Sequence, residues 1–431
     1  MAEMPQIIGI GAIVSTPQML PNSSTGLLTE IFLVYGSLRT GGIETLIVRM
    51  ANFFVSAGVR VSVCCTAGGE LESSLDGRVN IISYIQTTDL VEAVQASKAQ
   101  MRMGSTVLII SFDPISAARA LIVERALFKK DMEIAHISGV FHPRAYFMTG
   151  ERKDRIFLNN LLARALGKER LFFMNEECRT THSIQWDTEL SISPILALPV
   201  NWIDATWQPS EKTTVRVVSV GRLVDFKTYN LGAARIVKAC LNRGVTVTWD
   251  IFGDGPLQDS IKAEIAVMGV TSYVRLMGAL DYNDFSVTVA GYDLFVGMGT
   301  AALEAAMVGM PTICATVDEV TRCYGYLQNL PHGNVGELQP NPPTVELADL
   351  IHSYSVSAQA QRAFLSKQSR AAAEKYGMPK FAEAVTNMAV TSYAPPPSFV
   401  KRAISQLYFF ATEGFLIKAV RQHLLKKVRA G

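Results

Sequence analysis

Short runs of β-branched and apolar residues alternate along this chain with longer stretches whose apolar positions recur every three to four residues, starting at Ile31. Runs of the first kind suit strands buried on both faces. The second period suits helices that cover them, so the pattern predicts βα units and parallel sheets. In the first half it predicts strands over 31–36, 59–65, 80–84, 106–111, 133–140 and 171–174, with helices over 43–57, 90–103 and 116–128. After Leu198-Pro199-Val200, residues 201–214 are polar and lack a hydrophobic period, which marks a linker. The alternation then resumes with strands over 215–220, 245–252, 274–278, 293–296 and 312–315. The expected class is α/β, with two Rossmann-like domains facing across a cleft and a ligand crevice at the carboxyl ends of the strands.

Length agrees, because 431 residues exceed what one hydrophobic core usually supports. The division expected is an N-terminal extension over 1–30, a first domain over 31–200, the linker over 201–214, a second domain over 215–392 and a tail over 393–431. With 49% hydrophobic and 18% charged residues the chain reads as a well-buried globular protein. A net charge of +2 gives no bulk case for nucleic acid as a partner. The uncharged stretch from Met4 to Thr29 is broken by Pro5, Pro17 and Pro21, and its apolar part, 7–14, is too short to span a bilayer. No Lys or Arg precedes Arg39, so the basic start of a secretory signal is missing and cytoplasmic residence is expected. The six cysteines show neither metal-ligand spacing nor a disulfide framework. No Asp-x-Asp pair occurs either, so neither a metal nor a cofactor is expected.

Four segments carry candidate chemistry. Gly41-Gly42 lies where the first strand meets a helix, a place where backbone amides and a helix start can hold a phosphate, although a plain turn explains it as well. The second domain opens with Gly221-Arg222-Leu223-Val224-Asp225-Phe226-Lys227, two cations five residues apart after a strand. Arg supplies a planar fork of donors and Lys a point charge, a pair able to grip a diphosphate; alone, a solvated loop would be the simpler account. Gly253-Asp254-Gly255-Pro256 is a tight turn that admits close backbone approach to a ligand or simply starts a helix at Pro256. In Gly297-Met298-Gly299-Thr300 a strand breaks into glycines and a helix starts, with Glu304 in its first turns placed to accept ribose hydroxyls.

Together these segments, with Gly309-Met310-Pro311 after Glu304, resemble the family 4 (group 1) glycosyltransferases of the GT-B fold over about residues 31 to 390. The resemblance implies a retaining, metal-independent transferase whose first domain faces the acceptor and whose second binds a nucleoside diphosphate sugar. It implies that Gly41, Gly42, Arg222 and Lys227 hold the diphosphate, that Glu304 holds the ribose, and that Gly278 follows the strand lining the base site. Gly253 and Gly255 complete the donor loops. His142, in Phe141-His142-Pro143, looks like the histidine that faces the donor sugar, whereas His136 lies inside the strand and reads as a core residue. His142, Arg222 and Lys227 are thus the candidate catalytic residues. One departure stands out: the family carries a glutamate at the position of Val296, and amides of Gly297, Met298, Gly299 and Thr300 are left to contact the sugar. The implied chemistry is front-face attack, with a donor phosphate oxygen helping to deprotonate the acceptor.

Residues 398–431 carry seven Lys and Arg against the single acid Glu413, interleaved with aromatic and aliphatic residues. That tail suits an anionic membrane surface, placing the chain on the inner face of the plasma membrane, and equally suits a helix crossing back to the first domain. The expected partners are a nucleotide-sugar donor and a glycan or lipid-linked acceptor in polysaccharide or glycoconjugate assembly. Val296 keeps open a second class of protein, a donor-binding subunit without turnover that supports a partner transferase. A dinucleotide oxidoreductase fits poorly, since no strand leads into Gly-x-Gly-x-x-Gly with an acid about 20 residues on.

Overall fold

The computed structural model describes residues 28–391 apart from 40, 68, 103, 129–131, 148–152, 202, 204–206, 211–212, 282–283 and 338–343. The extension before residue 28 and the basic tail at 398–431 lie outside the described residues.

The first sheet holds β1 (Leu28–Ser37), β2 (Arg60–Thr66), β3 (Asn80–Ser83), β4 (Thr106–Ser111), β5 (Glu133–Val140) and β6 (Leu171–Phe173), in the order β3-β2-β1-β4-β5-β6. Every pairing is parallel. Alternate residues of β1 serve opposite faces, as a two-residue side-chain period requires. Ile31 and Leu33 pack with Leu46 and Phe54 of α1 (Gly42–Ser56). Phe32 and Val34 pack with Leu90 of α2 (Thr87–Ala99) and Val123 of α3 (Pro114–Leu127). Because both faces are covered, β4 is buried at all six positions. His136 is a core residue, its Nε2 3.0 Å from Ser111 Oγ inside the sheet.

Two first-domain helices lie outside the predicted set, α4 (Lys153–Leu166) and α5 (Glu176–Trp186). In α5 only Cys178 and His182 are buried, so its apolar stripe is too thin to show as a period. The helix is fixed instead by its cap: Asn175 Oδ1 accepts the Cys178 N–H at 2.9 Å.

The second sheet comprises β7 (Val215–Val220), β8 (Val247–Phe252), β9 (Val274–Gly278), β10 (Leu294–Gly297), β11 (Thr312–Ala315), β12 (Arg322–Tyr326) and β13 (Val345–Glu346). Its order is β13-β12-β11-β10-β7-β8-β9. The five strands from β11 to β9 are parallel, and β12 and β13 extend the edge in antiparallel fashion. Covering helices are α6 (Tyr229–Asn242), α7 (Gln258–Met268), α8 (Phe285–Ala290), α9 (Thr300–Met307), α10 (Leu347–Ser355) and α11 (Gln359–Glu374).

The chain ends its described course in α12 (Met378–Thr391). By sequence these residues belong with the second domain, but Met378, Phe381, Val385 and Met388 pack into the first-domain cluster of Ile31, Leu33 and Phe54. A helix does cross back to the first domain, and it is α12, ahead of the basic tail. The crossing point is narrow. Val200 donates to Tyr376 O at 2.9 Å and Met378 donates to Val200 O at 3.1 Å. Among the described residues no helix is long and apolar enough to cross a membrane.

Candidate functional site

In a doubly wound sheet, the strands on either side of the point where the order reverses send their loops apart and leave a crevice at their carboxyl ends. In the second sheet that point lies between β7 and β10. The two loops that flank it are the segment after β7, with Gly221, Arg222 and Lys227, and the segment after β10, with Gly297 to Thr300.

Backbone bonds lace the first of these loops to its neighbours. Gly221 donates to Phe252 O (3.0 Å), Leu223 to Asp254 O (2.9 Å) and Gly253 to Gly278 O (2.7 Å). The loops touch so closely at Gly253 that a Cβ there would lie 1.9 Å from Gly221 O, and its φ of +139° is one that side chains rarely adopt. Gly255 is in a similar position, its Cβ site 2.3 Å from Leu223 O. On this platform the Lys227 ammonium stands 3.1 Å from the Cβ site of Gly221. The ammonium makes no hydrogen bond or ion pair with a described residue, and its pKa is pushed down, first by burial and then by the Arg222 charge beside it. Arg222 itself is exposed.

At the second loop, Gly299 has a φ of +68° and donates to Val335 O at 2.7 Å, which turns the chain into α9. No side chain caps α9, so its start keeps free amide donors and the positive end of the helix dipole. Gly299, Thr300 and Leu303 line a cavity of about 100 Å³ whose other wall includes Met174 and Leu198 from the first-domain side. Glu337 also lines it. Its carboxylate accepts the Val335 N–H at 2.6 Å, and its pKa is raised chiefly by burial.

Glu304 is 4% exposed, and its carboxylate is engaged by a residue of the other domain. Arg49 Nη2 of α1 donates to Glu304 Oε1, and Arg49 Nη1 donates to Pro199 O at 3.0 Å. The predicted ribose carboxylate therefore meets a guanidinium in this conformation, and no described contact joins it to Arg222 or Lys227. Val296 is wholly buried in the apolar cluster of Val217, Ile313 and Ala315, so the strand offers no polar setting for a carboxylate there.

On the first-domain side, Gly41 and Gly42 open α1 at the corresponding reversal, between β1 and β4. The Glu44 carboxylate folds back over Gly41, with Oε2 2.2 Å from its Cβ site, whereas the Cβ site of Gly42 is open. His142 follows β5 and is exposed. Its Nδ1 accepts the Arg144 N–H at 3.0 Å, and partial loss of water around the ring, then the Arg144 charge, holds its pKa below the ordinary value. Among the described residues no hydrogen bond or ion pair joins His142 to the second domain. A cavity of about 660 Å³ lies elsewhere, beside Glu30, Arg60 and Arg78 near the amino ends of β1 and β2, away from where such folds bind ligands. Residues that the sequence reading missed are Arg49 and Glu337; for Arg49 the available signal was a lone cation within the apolar run Leu46-Ile47-Val48-Arg49-Met50-Ala51.

No protein-family profile matches the chain. A curated relative, the GtfA subunit of a UDP-N-acetylglucosamine–peptide N-acetylglucosaminyltransferase from Streptococcus gordonii, is 29% identical over 126 residues. That match spans 28% of this chain and about a quarter (24%) of the relative's length. Among solved structures, an S. aureus TarM mutant in complex with fondaparinux, α-GlcNAc-glycerol and UDP superposes with a TM-score of 0.54 at 12% identity, over 84% of this chain and 99% of that one. The pneumococcal O-GlcNAc transferase GtfA in complex with UDP and GlcNAc superposes with a TM-score of 0.51 at 11% identity, over 85% and 99%. The fold is thus the two-domain GT-B architecture that these glycosyltransferases share.

Proposed function

We propose that the chain is a glycosyltransferase of the family 4 kind, moving a sugar from a nucleoside diphosphate sugar to a glycan, lipid-linked or other acceptor with retention and without a required metal. The observation that carries this reading is the Lys227 ammonium, half-buried at the reversal point of the second sheet, beside Arg222 and without a partner among the described residues. A cation that has lost water without gaining a counter-ion gains most from an anion brought to it. The α9 start across the crevice supports the same reading. The UDP bound by both fold relatives makes uridine the first base to test.

In the reaction, the bond between the anomeric carbon and the diphosphate oxygen breaks and its electron pair goes to the diphosphate, where Arg222 and Lys227 meet the new charge. The acceptor oxygen bonds the anomeric carbon on the same face, and its proton passes to a donor phosphate oxygen. Glycan or glycoconjugate assembly at the inner membrane face, with residues 398–431 on anionic lipid, belongs to the same proposal.

Release of nucleoside diphosphate from a panel of UDP-, GDP- and ADP-sugars tests it. Arg222→Ala and Lys227→Ala should each cut turnover by on the order of 10²-fold while leaving the melting temperature nearly unchanged. Failure of every donor to bind would overturn the reading. Tight donor binding with no product from any acceptor extract would favour a donor-binding subunit instead, an alternative supported by buried Val296 and by the engaged Glu304.

A further inference from the structure

We infer that Arg49 competes with the donor's ribose for the Glu304 carboxylate, so that a nucleotide enters the cleft only as the contact between α1 and α9 is released. The inference rests on the proposed role of Glu304 as the ribose acceptor.

Three observations carry it. Arg49 stands two turns along α1 from Gly42 and bonds both Pro199 O, just ahead of the segment joining the domains, and Glu304 on α9. Both side chains of the pair are nearly out of water, at 8% and 6% exposure, so the contact is a seam rather than a surface ion pair. Gly299, Thr300 and Leu303, at and just after the start of α9, line the cleft cavity, whereas Glu304 Oε1 accepts from the guanidinium.

For ribose hydroxyls to reach Glu304 Oε1, the guanidinium has to leave. That replaces a charge-assisted bond between two ions by bonds from neutral hydroxyls, which are weaker. Donor affinity is accordingly reduced by whatever the Arg49 contact is worth, as for any ligand that binds only the released state. Arg49 acts here through Glu304 and through domain position; it is a positioning residue.

Calorimetric titration of the full chain with UDP tests this. Arg49→Met should tighten UDP binding at least tenfold, and small-angle scattering should show a larger radius of gyration for the ligand-free variant than for wild type. A purely structural ion pair would lower the melting temperature on substitution and could not raise the affinity. Equal or weaker UDP binding by Arg49→Met overturns the inference. If that variant does not fold, Arg49→Lys decides by the same criterion, because a lysine cannot serve Pro199 O and Glu304 with one planar group. Glu304→Gln in the Arg49→Met background separates the two claims: undiminished UDP affinity there refutes the ribose role itself. UDP binding by neither wild type nor any variant refutes both.

Discussion

A lysine that loses water without gaining a counter-ion releases its proton early, and Lys227 is such a residue. Its lowered pKa in the folded protein makes the charged form a cost to folding, present below that pKa and relieved as pH rises past the ordinary lysine value. A diphosphate beside the ammonium reverses the shift. Between the two pKa values, binding takes up a proton, so UDP affinity should fall as pH rises through that alkaline window. Titrations in buffers of different ionisation heat should show the uptake, and Lys227→Arg should abolish it, because a guanidinium does not titrate there. Lys227 and Arg222 were legible as a pair because a strand, a glycine and two cations follow in one short segment. The Arg49–Glu304 contact was not, since its members lie 255 residues apart and belong to different domains.

The elements were legible where burial was uniform or periodic. Strands of the parallel cores announced themselves as apolar runs, and α1 showed its stripe of Leu46, Met50 and Phe54. The antiparallel edge escaped notice because β12 alternates buried and half-buried residues around Gly325, and β13 is only two residues long. Turn glycines were visible as residues but not as contacts; Gly253 and Gly244 read alike in sequence and differ in space. Both have positive φ, yet a Cβ at Gly253 would collide with Gly221 O at 1.9 Å, whereas one at Gly244 meets nothing within 4 Å. Gly244→Ala should therefore cost only the backbone strain, about 1 kcal/mol, and Gly253→Ala roughly 3 kcal/mol or more because the loops must also part. Urea unfolding measures both. Gly253→Ala should weaken UDP binding too, since the displaced loop carries Arg222, and Gly244→Ala should not.

At the scale of the whole molecule, the two domains share a helix as well as a cleft. α12 follows the second domain along the chain, yet Phe381, 5% exposed, packs in the first-domain core, its ring centroid 6.2 Å from that of Phe172. Deleting a buried aromatic ring costs roughly 3–5 kcal/mol. In Phe381→Ala that loss should fall on the first domain, because the side chain touches the core of Ile31 and Leu33 and not the second-sheet cluster. Calorimetric unfolding should then show the first-domain transition moving to lower temperature while the second stays near its place, and UDP should still raise the second transition, since a ligand stabilises the domain that binds it. A single transition that shifts as a whole would mean instead that the Val200–Tyr376 crossing and the Arg49–Glu304 seam weld the domains into one cooperative unit. In that case the loss at Phe381 would be shared by both domains, and UDP would raise the one common transition.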